Sequence, residues 1–194
     1  MNAFFIAGQP RSRTAWLANF FTSQDSYCFH EAIKPCATPR QMRELFAAVQ
    51  KSMGVRFVGN SDSGIAFVMD DVIAEFPEAR LAVIERNLDD VLRSFKKTFP
   101  QLSDEDATMV VEKTQLALDR MKEKYHPLVI GFEDLAGESA VRRLWSHCLQ
   151  DTAFNRERWK MLDGFKVEII PEKYLADFPP EAARRINHLI RNYR

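Results

Sequence analysis

The sequence Gly8-Gln9-Pro10-Arg11-Ser12-Arg13-Thr14-Ala15-Trp16 decides the fold prediction for this chain. It follows the apolar run Ala3-Phe4-Phe5-Ile6-Ala7, which is typical of a buried strand, and leads into an apolar run typical of a helix. The unpaired N–H groups and the dipole of a helix N-terminus attract anions, and arginine binds phosphate through paired hydrogen bonds. A strand, a short loop with two arginines and two hydroxyls, and a helix start therefore predict a phosphate-binding loop.

Short apolar runs alternate with amphipathic segments along the rest of the chain. Four of these runs predict further strands at residues 27–29, 55–58, 81–84 and 128–130. The longest predicted helix begins at Ser103 and runs towards Tyr125. This alternation predicts an α/β fold of three layers, a parallel β-sheet with helices on both faces, of the P-loop kind. We expect residues 1–194 to form one domain.

Composition narrows the class of protein and of partner. The 27 basic and 27 acidic residues balance, so the net charge favours neither nucleic acid nor a membrane surface. The three cysteines, Cys28, Cys36 and Cys148, form no CxxC pair, which predicts reduced thiols without a disulfide or a structural metal site. No apolar run approaches the roughly 20 residues of a membrane span. The first basic residue, Arg11, follows the apolar run rather than preceding it, so we expect no signal peptide and a cytoplasmic location.

Polar groups follow the predicted strands at the points where they end. Besides the first loop they are His30-Glu31, the turn-rich residues 59–64, and Arg86. Ligands of parallel α/β sheets bind at the carboxyl ends of the strands. We therefore expect these groups to lie along one edge of the sheet.

A nucleoside-triphosphate enzyme with a Walker A loop is the first alternative. Counting G-x-x-x-x-G-K-[ST] from Gly8 puts Arg13 at the second glycine and Thr14 at the lysine. The strand ending at Ile84 is followed by Glu85-Arg86 rather than by a plain aspartate that would hold magnesium. The loop is typical of phosphate binding but lacks the lysine of ATP-hydrolysing enzymes. The alternatives at this point are a P-loop kinase or nucleotide hydrolase, and a catalytically silent binding protein.

Two segments resemble the sulfotransferases that use 3′-phosphoadenosine 5′-phosphosulfate (PAPS). Residues 10–17, Pro-Arg-Ser-Arg-Thr-Ala-Trp-Leu, are similar to that family's first loop, approximately P-[KR]-S-G-T-x-[WL]-L. Residues 86–94, Arg-Asn-Leu-Asp-Asp-Val-Leu-Arg-Ser, are similar to its R-[ND]-P-x-D-x-x-x-S, with Leu88 at the proline. Weaker likenesses to its Y-E-D-L segment and to the C-terminal stretch of short bacterial and phage-type members occur at 131–135, 155–159 and 162–165.

The resemblance implies a PAPS-dependent sulfotransferase that moves a sulfuryl group to an acceptor hydroxyl or amine. It implies that the first loop binds the 5′-phosphosulfate, with Arg11 on the bridging and sulfuryl oxygens. An arginine at a strand end and a serine two turns into the next helix can both reach one 3′-phosphate, the group that distinguishes PAPS from ATP. The residues expected to bind the cofactor are Pro10, Arg11, Ser12, Arg13, Thr14, Ala15, Arg86 and Ser94.

The expected catalytic residues are Arg11, which stabilises the leaving phosphate, and a base that takes the acceptor's proton. His30 and Glu31 stand at the end of the second strand, where several relatives place such a group, and Asp62 competes with them. General-base help is typically worth about 10²–10⁴-fold, and the family's mechanism requires no metal. The residues favour no one acceptor among small molecules, peptides and lipids, and they indicate no oligomeric state.

The chain departs from the family pattern at two places. Arg13 occupies the position of a glycine that lets the loop approach phosphate closely, so a positive φ at Arg13 would be strained. The R-K-G-containing C-terminal loop of larger members, which closes on the 3′-phosphate, is not recognisable. These departures leave two alternatives, an open site to which Arg13 could add a phosphate contact, or weak or lost activity.

Overall fold

A parallel sheet of five strands organises the part of the chain that the computed structural model describes, residues 1–164 and 179–193. The strand order is β2-β3-β1-β4-β5, so that β1 lies at the centre between β3 and β4. The strands are β1 (Asn2–Gly8), β2 (Ser26–His30), β3 (Phe57–Asp62), β4 (Arg80–Glu85) and β5 (Leu128–Gly131).

Helices connect the strands, and several begin at side chains that cap them. The helices are α1 (Thr14–Phe20), α2 (Pro39–Met53), α3 (Met69–Glu75), α4 (Leu88–Thr98), α5 (Asp104–Tyr125), α6 (Glu138–Leu149), α7 (Arg156–Asp163) and α8 (Pro180–Asn192), with 3₁₀ turns at Ile65–Val68 and Glu133–Ala136. Ser103 caps α5 by accepting from the N–H of Asp106, which confirms the predicted start of the longest helix. Among these described helices, none has the length and apolar content that a membrane crossing needs.

The alternation of side chains along β1 divides the core into two layers. Phe4 and Ile6 pack with α1 and α6, whereas Phe5 packs on the opposite face with α2, α3 and α5. Trp16, predicted to be a core residue, is buried in the first of these layers and stacks on Phe20. The predicted three-layer α/β fold is confirmed, since a parallel sheet has helices on both faces.

β3 extends through residues that the sequence predicted to form a turn. Gly59, Asn60, Ser61 and Asp62 are paired with β1 and β2 and are fully buried or nearly so. Glycine is needed at the first of these positions because a Cβ there would lie 2.2 Å from the ring of Phe4. The prediction of a turn was wrong for residues 59–62, which form a strand whose Asn60 and Asp62 side chains accept from N–H groups of the loop after β2; Asp62 also accepts from the N–H of Gly64 just after the strand.

Helix α8 is attached to the loop after β2 through a single guanidinium group. Nη2 of Arg185 donates to the carbonyl oxygens of Ile33, Lys34 and Cys36 at 2.6, 3.2 and 3.1 Å. At the end of α8, the carbonyl of Tyr193 accepts a hydrogen bond from Lys113 of α5. The segment 162–165 of the sequence comparison ends at Phe165, which lies outside the described residues.

Candidate functional site

The loop between β1 and α1 has two non-glycine residues in the left-handed region. The φ angles are 68° at Arg11 and 62° at Arg13, so the strained conformation expected where Arg13 replaces glycine is present. Such conformations cost on the order of 1–3 kcal/mol each and cluster at binding and catalytic sites. The N–H of Ser12 donates to Gln9 and closes the turn, and the helix begins at Thr14 with its N-terminus facing the loop.

Arg11 is in contact with both Arg86 and Ser94. Nε of Arg11 donates to the hydroxyl of Ser94 at 3.4 Å, and Nη1 of Arg86 donates to the backbone carbonyl of Arg11. Arg86 reaches the loop from the residue after β4, and Ser94 from the second turn of α4. The two sequence motifs, about 75 residues apart, therefore form one cluster at the carboxyl end of the sheet.

An aromatic ring supports this cluster from the end of β5. The guanidinium of Arg86 lies 4.1 Å from the ring centre of Phe132, and that of Arg13 lies 5.7 Å from it. Arg13 is also 3.6 Å from the carboxylate of Asp163 in α7. Arg13 thus points towards Phe132 and α7, and Phe132 links it to Arg86.

The arginines are crowded enough to perturb one another. Burial lowers the pKa of Arg11 below its ordinary value, and the nearby charge of Arg86 lowers it further. Burial is also the main cause of a lowered pKa at Arg86, with Arg13 acting in the same direction and Asp90 and Glu133 opposing it. A bound anion would relieve this repulsion and desolvation.

Three buried side-chain donors of the first loop and of Arg86 have no hydrogen-bond partner among the described residues. They are the hydroxyl of Ser12, Nη1 of Arg13 and Nε of Arg86. An unsatisfied buried donor costs about 1–3 kcal/mol, and more when it carries charge. These orphaned donors fit a ligand that brings acceptor oxygens into the loop, as a phosphate group does.

His30 at the end of β2 faces the same loop. Its Nε2 lies 3.3 Å from the hydroxyl of Thr14, and its Nδ1 lies 3.9 Å from a carboxylate oxygen of Glu31. Burial lowers the pKa of His30 and Glu31 only partly opposes this, so the neutral form of the ring is favoured. Glu31 forms an ion pair with Lys34 and has a φ of 59°.

Asp62 lies on the neighbouring strand and is 1% exposed. Its carboxylate accepts from the N–H of Gly64 at 2.6 Å, and at 3.4 Å from both the N–H of Ile33 and the amide of Asn60. Burial, followed by repulsion from Glu31, raises its pKa from 3.8 to about 6. These contacts give Asp62 a part in holding the loop after β2.

The structure brings the predicted residues to one edge of the sheet and adds three that sequence reasoning missed. Phe132 was noted only as part of a family likeness, although an aromatic residue directly after a strand at this edge was a usable signal. Lys34 is spaced three residues from Glu31, which also could have indicated the ion pair. Nothing local in the sequence indicates that Arg185 binds the loop 33–36.

Solved structures match this chain, whereas no family model and no curated protein does. The sulfotransferase domain from the curacin biosynthetic pathway superposes with a TM-score of 0.66 at 12% identity, covering 96% of this chain and 96% of its own. A sulfotransferase from Alicyclobacillus acidocaldarius superposes with a TM-score of 0.59 at 18% identity, and the match covers 98% of this chain and 95% of that one. Mouse sulfotransferase SULT7A1 complexed with PAP superposes with a TM-score of 0.55 at 14% identity, and the match covers 98% of this chain and 85% of that one. The chain has the fold of the sulfotransferases.

Proposed function

We propose that this protein is a PAPS-dependent sulfotransferase. The observation that carries the proposal is the contact of Arg11 with both Arg86 and Ser94, because a 5′-phosphate site and a 3′-phosphate site must adjoin to hold one nucleotide. The orphaned donors on Ser12 and Arg86 support it, since both would be satisfied by phosphate oxygens.

The cofactor residues divide between the two phosphate groups. The loop and helix start formed by Pro10, Ser12, Thr14 and Ala15 would hold the 5′-phosphosulfate through N–H groups and hydroxyls, together with the side chain of Arg11. Arg86 and Ser94 would hold the 3′-phosphate. Arg13, beside Phe132, would add positive charge to the same surface.

The chemistry that bound PAPS supplies is an activated sulfuryl group: the sulfur–oxygen bond to the 5′-phosphate breaks as a bond to the acceptor oxygen forms. Arg11 stabilises the charge that develops on the phosphate. His30 takes the acceptor's proton at Nε2, the atom that faces Thr14 of the loop. Glu31, beside Nδ1 of His30, orients the ring and stabilises its charged form. Asp62 anchors the loop that carries Glu31 and Ile33.

Thermal stabilisation by adenosine 3′,5′-bisphosphate (PAP), compared with ATP and magnesium, tests the proposal. A ligand at 100 times its dissociation constant stabilises a protein by about 2.7 kcal/mol, which is a readily measured shift in melting temperature. We expect stabilisation by PAP, little by ATP, and loss of the PAP effect in Arg86→Ala. Arg93→Ala is the matched control, because Arg93 is an exposed cation of α4 beside Ser94 that pairs with Asp90.

The alternatives predict other outcomes. A P-loop kinase or nucleotide hydrolase predicts stabilisation and turnover with ATP and magnesium. A catalytically silent protein of this fold predicts no sulfuryl transfer to any acceptor and no effect of His30→Ala beyond stability. For the active enzyme, His30→Ala should lower kcat by about 10²–10⁴-fold while leaving PAP stabilisation intact.

A further inference from the structure

Arg13 of the first loop is paired with a carboxylate of α7. Its Nη1 lies 3.6 Å from Oδ1 of Asp163, and its guanidinium lies 5.6 Å from the ring centre of Trp16 and 5.7 Å from that of Phe132. This separation from Asp163 is too long for a hydrogen bond, and the buried Nη1 has no other partner among the described residues. The guanidinium is therefore held by charge and still has an unused donor.

We infer that Asp163 sets the affinity of the protein for its nucleotide by competing for Arg13. In the free protein Asp163 holds Arg13, and on binding the guanidinium turns to a phosphate group of the nucleotide. The inference rests on the proposed function, which puts that phosphate at the loop and helix start beside Arg13. Asp163 acts through Arg13 as a positioning residue, and their contact opposes nucleotide binding.

Arg13 belongs to the same positive cluster as the proposed phosphate ligands. Its backbone directly precedes α1, so its side chain starts at the helix N-terminus, where an anion is attracted. Its guanidinium and that of Arg86 both lie against the ring of Phe132, and its charge contributes to the lowered pKa of Arg86. An anion bound between these arginines relieves their repulsion, which the carboxylate of Asp163 does only for Arg13.

The ion pair is weak enough for a phosphate group to displace it. The side chains of Arg13 and Asp163 are 35% and 38% exposed. Pairs with this much exposure change an equilibrium by about fivefold at most, whereas a charge-assisted hydrogen bond to phosphate changes it by about 10–150-fold. The phosphate group therefore wins the competition, at a cost in affinity that the ion pair determines.

Helix α7 does not depend on this ion pair for its attachment to α1. The indole N–H of Trp16 donates to the carbonyl of Leu162 at 2.9 Å, and Arg158 donates to the carbonyls of Asn19 and Phe20. We therefore expect Asp163→Asn to fold with α7 in place. A change of nucleotide affinity in this variant would then report on Arg13 and its charge.

Isothermal titration calorimetry of PAP with a double-mutant cycle tests the inference. Asp163→Asn should bind PAP about 2–5-fold more tightly than wild type. Arg13→Gly should bind it several-fold more weakly, and glycine suits the φ of 62° at this position. Adding Asp163→Asn to Arg13→Gly should change the affinity no further, because the competitor then has nothing to hold.

Two controls separate the ion pair from general charge effects. Asp163→Glu keeps the carboxylate and should stay within about twofold of wild type. Glu157→Gln removes a negative charge from an exposed position at the other end of α7 and should leave PAP affinity unchanged. A melting curve of each variant without ligand confirms that it is folded.

Three outcomes would overturn the inference: unchanged or weaker PAP binding in Asp163→Asn, an equal gain from Asp163→Asn in the Arg13→Gly background, or an equal gain in Glu157→Gln. Weaker binding would mean that Asp163 holds Arg13 in its binding position. The comparison of Asp163→Asn with Glu157→Gln needs no change in the loop, so it decides the matter even if Arg13→Gly does not fold. Absence of PAP binding to the wild-type protein would contradict the proposed function instead.

Discussion

Arg86 provides the sharpest test of how the nucleotide is bound. Its Nη1 is occupied by the carbonyl of Arg11, whereas its buried Nε has no partner among the described residues. One charge-assisted hydrogen bond from this Nε to a 3′-phosphate is worth about 1.5–3 kcal/mol. Arg86→Ala should therefore weaken PAP binding by about 10–150-fold.

Comparison with AMP isolates the contact from any damage to the loop. AMP keeps the 5′-phosphate and lacks the 3′-phosphate. In Arg86→Ala its affinity should therefore fall only through the lost hydrogen bond between Arg86 and the carbonyl of Arg11, which shapes the loop. Isothermal titration calorimetry of both nucleotides with wild type and Arg86→Ala completes a double cycle. We expect the preference for PAP over AMP to collapse in Arg86→Ala and to persist in Arg93→Ala.

An equal loss of affinity for PAP and AMP in Arg86→Ala would refute this reasoning. It would mean that Arg86 acts only through the conformation of the loop, by way of its hydrogen bond to Arg11. The 3′-phosphate would then have to be bound elsewhere or not at all.

Three further predictions concern stability. Arg13→Gly should be more stable than Arg13→Ala by about 1 kcal/mol in urea unfolding, because φ at this residue is 62° and glycine adopts that conformation without strain. Both variants remove the guanidinium, so the comparison reports on the backbone alone. Equal stabilities of the two variants would contradict backbone strain at this position. Gly59→Ala should cost about 1–3 kcal/mol through the clash with Phe4; Phe4→Leu in the same background should recover part of this loss, and additive losses would argue against the clash. Asp62, with its pKa raised from 3.8 to about 6 by burial and Glu31, holds its proton more tightly when folded. Stability should fall by about 3 kcal/mol as the pH rises from about 4 to above 6, and a pH series of denaturant unfolding should show this slope reduced in Asp62→Asn; an equal slope in the variant would assign the titration to another group.

The fold was readable from sequence where local pattern and tertiary environment agree. The apolar run before Gly8 and the run 81–84 are buried on both faces of the sheet, so their hydrophobicity alone predicts strands β1 and β4. The spacing of Arg86 and Ser94 was equally informative, since a strand end and the second turn of a helix are fixed relative to each other. Their contact with Arg11 depends on β1 and β4 being neighbours in the sheet, and the α/β pattern of the sequence does not specify the strand order.

The secondary structure was mispredicted where buried polar side chains form hydrogen bonds with residues distant in the sequence. Asn60 and Asp62 are strong turn formers, and Asp62 does accept from the N–H of Gly64, yet both lie in a buried strand where the N–H groups of residues 32 and 33 also donate to them. The left-handed conformation of Glu31 has no local signal either, because glutamate rarely adopts it. Both features belong to the loop after β2, which the tertiary structure determines.

The attachment of α8 through Arg185 has an evolutionary consequence. The three carbonyl groups that Arg185 binds are backbone atoms, so the clamp constrains no side chain on the loop after β2. Ile186 and Ile190 on the same helix can therefore change while the helix stays docked. The contacts of the arginine cluster come from the first loop, Ser94, Phe132 and Asp163. Helix α8 can therefore diverge among descendants of this chain while that cluster is inherited intact.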